Sequence, residues 1–307
     1  MLVATCRAEA SDSAVGTGVI DALKKRAIFW QGVGRDTVSA TYRHDCTDAA
    51  AAMAFDFVFA VFPGILILTA LLGLMHISPE DFNRVLEDLG IIIPAPFLTV
   101  VEDNIKFLSS SSQSLFFVGI LGVVWPASAS MSTTMTALNR AYGADEQRSF
   151  WQRRILSIFL VFGVGLSLVF LFNLIVFGEQ IEEWLRLRWN FPLHFPAVVA
   201  QLRRTAGLVG AVVVAACIYR IIPSVRQGWG DVLPGSLLFF SLWTFIASGF
   251  KYYVKGFSYY NLVYGVLGAV IIILLSAYLV AFTLLLGGEL NAVLFRRRRA
   301  LTPRDYT

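Results

Sequence analysis

Apolar residues along this 307-residue chain gather in six long runs instead of alternating with polar ones. The runs cover roughly 49–75, 115–139, 155–177, 206–222, 232–250 and 262–295. A helix needs ~20 residues to cross a hydrocarbon core of about 30 Å. Most of the runs meet that length, the fourth is marginal, and the sixth is long enough to tilt or to extend past the surface. Helices are the expected form, because in lipid every backbone polar group must be satisfied internally. A β-barrel would show alternating segments of about ten residues, and these runs do not alternate. The pattern predicts an all-α integral membrane protein with six transmembrane helices.

The interruptions set the organisation. Residues 1–47 read as a leader, 48–295 as the membrane domain and 296–307 as a basic tail. The first residues lack an apolar core long enough for a cleavable signal. Segment 21–42 has two readings. It is either a helix on the membrane surface, with Phe29, Trp30 and Val33 towards lipid and Lys24, Lys25 and Arg26 towards headgroups, or an ordinary solvated helix. Pro63 and Pro126 predict kinks in the first two membrane helices. After Pro126 come Ser128, Ser130, Ser132, Thr133 and Thr134, which read either as a polar track or as a close packing face.

Charge gives the chain a sidedness. With the N-terminus inside, 17 of the 25 Lys and Arg residues fall on cytoplasmic pieces. The loop at 76–114 carries six acids against two bases and lies outside. Both termini are therefore expected in the cytoplasm. Arg203 and Arg204 fit this arrangement least well, since it places them near the outer face. Arg296, Arg297, Arg298 and Arg299 read as a topology anchor that also attracts anionic lipid. The basic residues border helices and form no separate basic domain, so no nucleic-acid partner is expected. Charged residues make up only 15% of the chain, which agrees with the membrane reading.

Two acids stand well within the apolar runs, Asp56 and Glu289. Counted at 1.5 Å per residue from their cytoplasmic ends, Asp56 lies roughly 12 Å and Glu289 roughly 10 Å deep, both in the cytoplasmic half. An ionisable residue at such depth is a functional candidate. Three readings stay open: a cavity that handles a proton, cation or headgroup; a structural pair with a base such as Arg140 or Arg220; or a solvated position near the interface. Asn291, Ser130 and Asn139 join the candidates on the cytoplasmic side and along the track. Tyr260, Asn261 and Tyr264 join them from a Tyr/Lys cluster at the outer face, where such residues ordinarily anchor a helix. Cys6, Cys46 and Cys217 stand singly and no disulfide is expected. His44, His76 and His194 have no ligand partner at helical spacing, and no P-loop or GxSxG motif occurs. No metal, no cofactor and no enzymatic activity are expected.

Several stretches occur in an order that resembles the YihY/BrkB family of bacterial inner-membrane proteins. They are AAAMAF with FPG after it (50–64), the tryptophan at 125 with ALNRAYG (137–143), RSFWQRR (148–154), YRIIP (219–223), Tyr260-Asn261 with Tyr264-Gly265, and GGELNA (287–292). The likeness covers about 25 to 295. Glu289 matches its pattern directly. Asp56 stands where an aromatic residue is common and Ser276 where tryptophan is usual, so a two-carboxylate device is no general property of that family. The resemblance implies six membrane helices in a bacterial cytoplasmic membrane. It also brings the name ribonuclease BN, generally regarded as misassigned, and the nuclease ligands are missing here as well.

The expected function is a transporter or flippase for a lipid or other amphiphile, with membrane phospholipid as partner. A groove between the first, second and sixth membrane helices would carry it. The alternative is a structural protein of the envelope that does not transport, with the acidic loop 76–114 docking a protein partner.

Overall fold

The computed structural model describes residues 24–74, 113–176, 196–256 and 261–301. Within them the chain forms seven helices and no strand. The helices are α1 (24–43), α2 (Cys46–Leu74), α3 (Gln113–Tyr142), α4 (Phe150–Val176), α5 (Pro196–Ile221), α6 (Trp229–Gly256) and α7 (Asn261–Leu301). Among the described residues three stretches are long and apolar enough to cross a membrane: Phe150–Leu171, Trp229–Gly249 and Val270–Arg299. Thr205–Ile221 is a shorter apolar helix, in line with the marginal fourth run. The loop 76–114 and Tyr260 lie outside the described residues, apart from the first two residues of α3.

The helix ends follow from local chemistry. Ser149 and Gln152 form a reciprocal capping box at the start of α4: Gln152 N–H donates to Ser149 Oγ, and Ser149 N–H to Gln152 Oε1. Asp231 does the same service for α6 by accepting from Gly228 N–H at 3.0 Å. The end of α3 is closed by Gly143 in the left-handed region (φ 64°). Gly143 N–H reaches Arg140 O and Ala144 N–H reaches Asn139 O, the double bond pattern that satisfies orphan carbonyls.

Packing runs in chain order. α2 lies on α3, α3 on α4, α4 on α5, α5 on α6 and α6 on α7, and α7 returns to α2 to close a ring. α7 also meets α3, so α2, α3 and α7 form a mutually packed triangle. Cross-links gather the starts of α2, α4 and α6 with the ends of α3, α5 and α7. Examples are His44 to Glu289, Ser157 to Met135 and Arg298 to Asp231. This is the arginine end, since residues 296–299 sit there.

Proline and glycine settle two of the seams. Pro63 of α2 lies against Gly119 and Gly122 of α3, where a Cβ on Gly122 would come within 2.7 Å of the ring. The proline ring on one helix is thus received by bare backbone on the next. Near the arginine end, α6 and α7 touch backbone to backbone at Gly235 and Gly287. Large apolar side chains such as Phe159, Leu166 and Phe245 point outward and are exposed. The main buried cluster joins Met135 and Leu138 of α3, Tyr219 and Ile222 around the end of α5, and Leu285 of α7.

α1 departs from the surface reading at Val33. Val33 is buried, packed with Ala40 against Val293 and Leu294 of α7, and does not face lipid. Thr37 and Thr41 are buried beside it, with hydroxyls turned to carbonyls one turn back. The apolar stripe of α1 spends itself on the bundle, while Phe29 and Trp30 remain partly exposed. A mixed sequence of this kind does not say which apolar surface it will meet.

The Gly235–Gly287 contact makes a quantitative expectation. A Cβ on Gly235 would fall 2.1 Å from Gly287 O and 2.4 Å from Asn291 Nδ2, with no flexible side-chain end to yield at the first. Gly235→Ala should lose about 1–3 kcal/mol through overpacking. Gly163→Ala meets nothing within 4 Å and should be neutral or gain up to ~1 kcal/mol of helix propensity. Thermal unfolding of both variants in detergent checks the pair, and equal melting points would contradict the contact.

Candidate functional site

The chemistry concentrates where α7 passes the arginine end. Over residues 284–291 each turn of α7 meets a different neighbour. Leu284 O accepts from Tyr219 Oη of α5 at 2.6 Å. Gly287 lies under the same tyrosine and against Gly235 of α6, and Gly288 lies against Leu138 of α3. Two glycines in succession let three helices approach one stretch of backbone.

Glu289 follows and is fully buried, at 0% exposure. Its Oε1 lies 2.6 Å from His44 Nδ1, and Cys46 Sγ approaches the same oxygen at 3.6 Å. The turn between α1 and α2 delivers both partners. Asp45 there adopts a left-handed conformation (φ 52°), which Asp tolerates better than most residues. Arg140 of α3 fixes the turn from the other side, donating to His44 O at 2.8 Å and lying 3.5 Å from the Asp45 carboxylate. Arg140 therefore supports the pair without touching Glu289. Among the described residues Glu289 Oε2 has no hydrogen-bond partner.

Asn291 is equally buried and has a bracing geometry. Its Oδ1 accepts from Gly235 N–H at 2.6 Å and its Nδ2 donates to Val232 O at 3.1 Å. These are backbone groups flanking Pro234, where the regular ladder of α6 is interrupted. Asn139 likewise holds chain. It accepts from Ser224 N–H at 2.8 Å and donates to Glu146 at 2.7 Å, tying α3 to the α5–α6 connection. Tyr142 donates to Gln227, and Gln227 donates to Tyr219 O, extending that tie.

The remaining candidates are placed apart. Asp56 is half-buried on α2, ten residues beyond Cys46, a rise of about 15 Å. The expected common depth of Asp56 and Glu289 does not hold, because Glu289 meets the very start of α2. Counting inward from the arginines misjudged it: α7 continues as helix through them to Leu301, and they sit against other helices. Ser130 is half-buried on α3, and its carbonyl accepts from Thr134 Oγ1. Thr133 and Thr136 also turn their hydroxyls to carbonyls one turn back, so much of the track is spent on its own helix. Asn261 and Tyr264 open α7, but their side chains, like Tyr260, lie outside the described residues.

The four arginines act as clasps between elements. Arg296 donates to Ala141 O at 2.6 Å, Arg297 pairs with Asp36 of α1 and lies over the Phe29 ring, and Arg298 pairs with Asp231 at 2.6 Å. Arg299 stacks on Phe295. Sequence reasoning missed His44 altogether, having weighed histidines only as metal ligands. The partner lies 245 residues away, and no local pattern links the two. The carboxylate itself was the available signal, since a buried acid demands a donor.

Three comparisons bear on the chain. The family description "virulence factor BrkB" matches residues 37–305. YfkH of Bacillus subtilis, a protein named as ribonuclease-like, is 29% identical over 86% of this chain and 95% of its own. A UPF0761 membrane protein of Pseudoalteromonas atlantica is 24% identical over 84% of each chain. One of Nitrosospira multiformis is 24% identical over 82% of this chain but 58% of its own longer sequence. No solved structure matches.

Coupling between His44 and Glu289 is measurable by unfolding in mixed micelles. His44→Ala leaves a buried carboxylate without its partner and should cost towards the lower end of about 3–5 kcal/mol, since His44 is partly exposed. Adding Glu289→Gln to His44→Ala should recover part of that loss, giving a coupling above about 0.5 kcal/mol. Strict additivity would mean that the two side chains do not sense each other. Asn291→Leu should cost about 1–3 kcal/mol, because it removes the bond to Gly235 N–H, while Val232 O keeps the Ser236 hydroxyl at 2.8 Å.

Proposed function

The chain belongs to the virulence factor BrkB family of membrane proteins, and from that premise we propose that it binds and moves an amphiphile across a bacterial cytoplasmic membrane, with phospholipid first among substrates. The proposed topology has six crossings and both termini in the cytoplasm, which turns the arginine end inward. The protein acts without enzymatic chemistry and without a cofactor. The Glu289–His44 pair is the cytoplasmic gate. Asp56 and Ser130, half-buried on the closely packed α2 and α3, continue the polar path towards the outer half. Tyr260, Asn261 and Tyr264 shape the far end.

One observation carries this reading. Glu289 is sealed from solvent, yet one of its oxygens is without a hydrogen-bond partner among the described residues. A side chain retained only for bracing gains from satisfying both oxygens, as Asn291 does with both ends of its amide. A carboxylate held against an imidazole can take up or release a proton or meet a cationic headgroup. Among the described residues its hydrogen-bond contacts are His44 from the α1–α2 turn and Cys46 from the start of α2, with the Arg140–Asp45 pair holding that turn. Swinging the turn away from α7 would open the pair to the arginine end.

The second reading, a non-transporting envelope protein, draws support from a different observation. Asn139, Asn291, Tyr142, Tyr219 and three of the arginines all spend their hydrogen bonds on holding helices together. In that reading Glu289 is one more brace, and the acidic loop 76–114 serves a protein partner.

Reconstitution separates the two. Wild type and Glu289→Gln, both shown to fold, are placed in liposomes with labelled phospholipid, and exchange between leaflets is followed. Wild type should exchange lipid well above empty vesicles, and Glu289→Gln should slow it roughly tenfold or more, the equivalent of about 1.4 kcal/mol. No exchange by folded wild type over a broad set of phospholipids would sink the transport reading and leave the structural one. Equal rates would remove Glu289 from the path.

A further inference from the structure

Away from Glu289, the connections α3–α4 and α5–α6 enclose an open concavity of about 450 Å³. Its lining is Arg148, Arg220, Arg226, Pro223, Ser224 and Gln227, with Val225. We propose that this basin binds a phosphate-bearing anion, either the headgroup of an anionic phospholipid or a soluble phosphate compound.

The three guanidinium groups are held in ways that leave charge and donors unspent. Like charges gathered in one basin repel unless an anion joins them. Two of the arginines are fixed in place by contacts that leave donors over. Arg148 gives one N–H to Ile222 O at 3.0 Å, and its Nε stands 3.9 Å from Glu146, beyond hydrogen-bond reach. Arg220 lies over the Trp229 ring at 4.5 Å, a contact that engages its face and leaves its edge. Arg226 is exposed and makes no hydrogen bond or ion pair among the described residues. A guanidinium carries five donors in a planar fork suited to phosphate oxygens. Neither acid of the α3–α4 connection, Asp145 or Glu146, lines the basin, and the one that touches its lining, Glu146, is engaged with Asn139 at 2.7 Å and with the Arg148 and Ser224 side. Three arginines against that acid leave the basin with a surplus of positive charge.

The floor of the basin is rigid for the same reasons that the bundle is. Ser224 N–H is held by Asn139, and Gln227 is buried between Tyr142 and Tyr219 O. Pro223 fixes the backbone just before Ser224. The ligand groups therefore stand on a prepared base, which lowers the ordering cost of binding. Residues 296–299 offer no equal site, because Arg296, Arg297 and Arg298 already hold protein acceptors.

This inference does not rest on transport, since binding here without lipid exchange leaves it standing. The test is thermal unfolding of the full chain, which rises when a ligand binds the folded state. One arm uses a neutral detergent with inorganic phosphate against chloride at matched ionic strength. The other uses nanodiscs of phosphatidylcholine alone or with phosphatidic acid. A rise in the phosphate arm assigns a soluble ligand, and a rise only in the phosphatidic acid arm assigns a lipid headgroup. In either case Arg226→Gln should weaken the response roughly tenfold, as loss of one charge-assisted contact does. Its melting point without ligand should stay unchanged, and Arg299→Gln should respond like wild type. No rise in either arm overturns the proposal. So does a rise that survives Arg220→Gln combined with Arg226→Gln, or one lost in Arg299→Gln and kept in Arg226→Gln.

Discussion

A carboxylate or amide buried in an apolar helix, unlike a hydroxyl that can turn to its own carbonyls, has to find its partner on another helix. In this protein that constraint falls on eight residues of α7. Glu289 needs the α1–α2 turn, Asn291 needs the proline-broken start of α6, and the Leu284 carbonyl draws in Tyr219 of α5. Once those three demands are met, four other helices have fixed positions around α7. The glycines at 287 and 288 make the meeting sterically possible, since any side chain there would strike Tyr219 or Leu138. Polarity supplies the specificity and the bare backbone supplies the room.

The two kinds of seam do different work. The contact of Pro63 with Gly119 and Gly122 is apolar and depends on shape alone. The seams at the arginine end carry hydrogen bonds and ion pairs that outer apolar faces lack. Shape contacts in a membrane compete with lipid for the same dispersion energy, whereas an unmade polar contact has no substitute. The arginine end is therefore the better defined part of the molecule, and it is there that both the buried carboxylate and the basic basin occur.

The helices were legible in the sequence because their cause is local. Length, apolar content and the proline positions announce them, and capping residues such as Ser149 and Gly143 mark their ends. Glu289 was legible as an oddity for the same reason. Its partner was not, since His44 looks like any histidine in a polar turn until α7 is laid beside it. Asn291 and Asn139 were visible as polar residues in apolar company, but their bonds go to backbone groups of other helices, which no spacing reveals. Asp56 shows the opposite error. Counting residues from the membrane edge made it a companion of Glu289, whereas the depth of a residue depends on how far each helix runs beyond that edge. The basic basin was overlooked because its arginines come from separate connections, and only their convergence makes them a site.

The closed ring of helices also imposes a schedule on biosynthesis. Each seam from α2–α3 to α6–α7 joins neighbours in the chain, so it can form as soon as the second member leaves the ribosome. The seam between α7 and α2 is different, for it joins residues 245 positions apart. Until α7 arrives, His44 and the inner faces of α2 and α3 wait without their counterpart. The nascent chain is an open crescent for most of its synthesis, and quality control has a single late event, the arrival of GGELNA, by which to distinguish a finished molecule from an interrupted one.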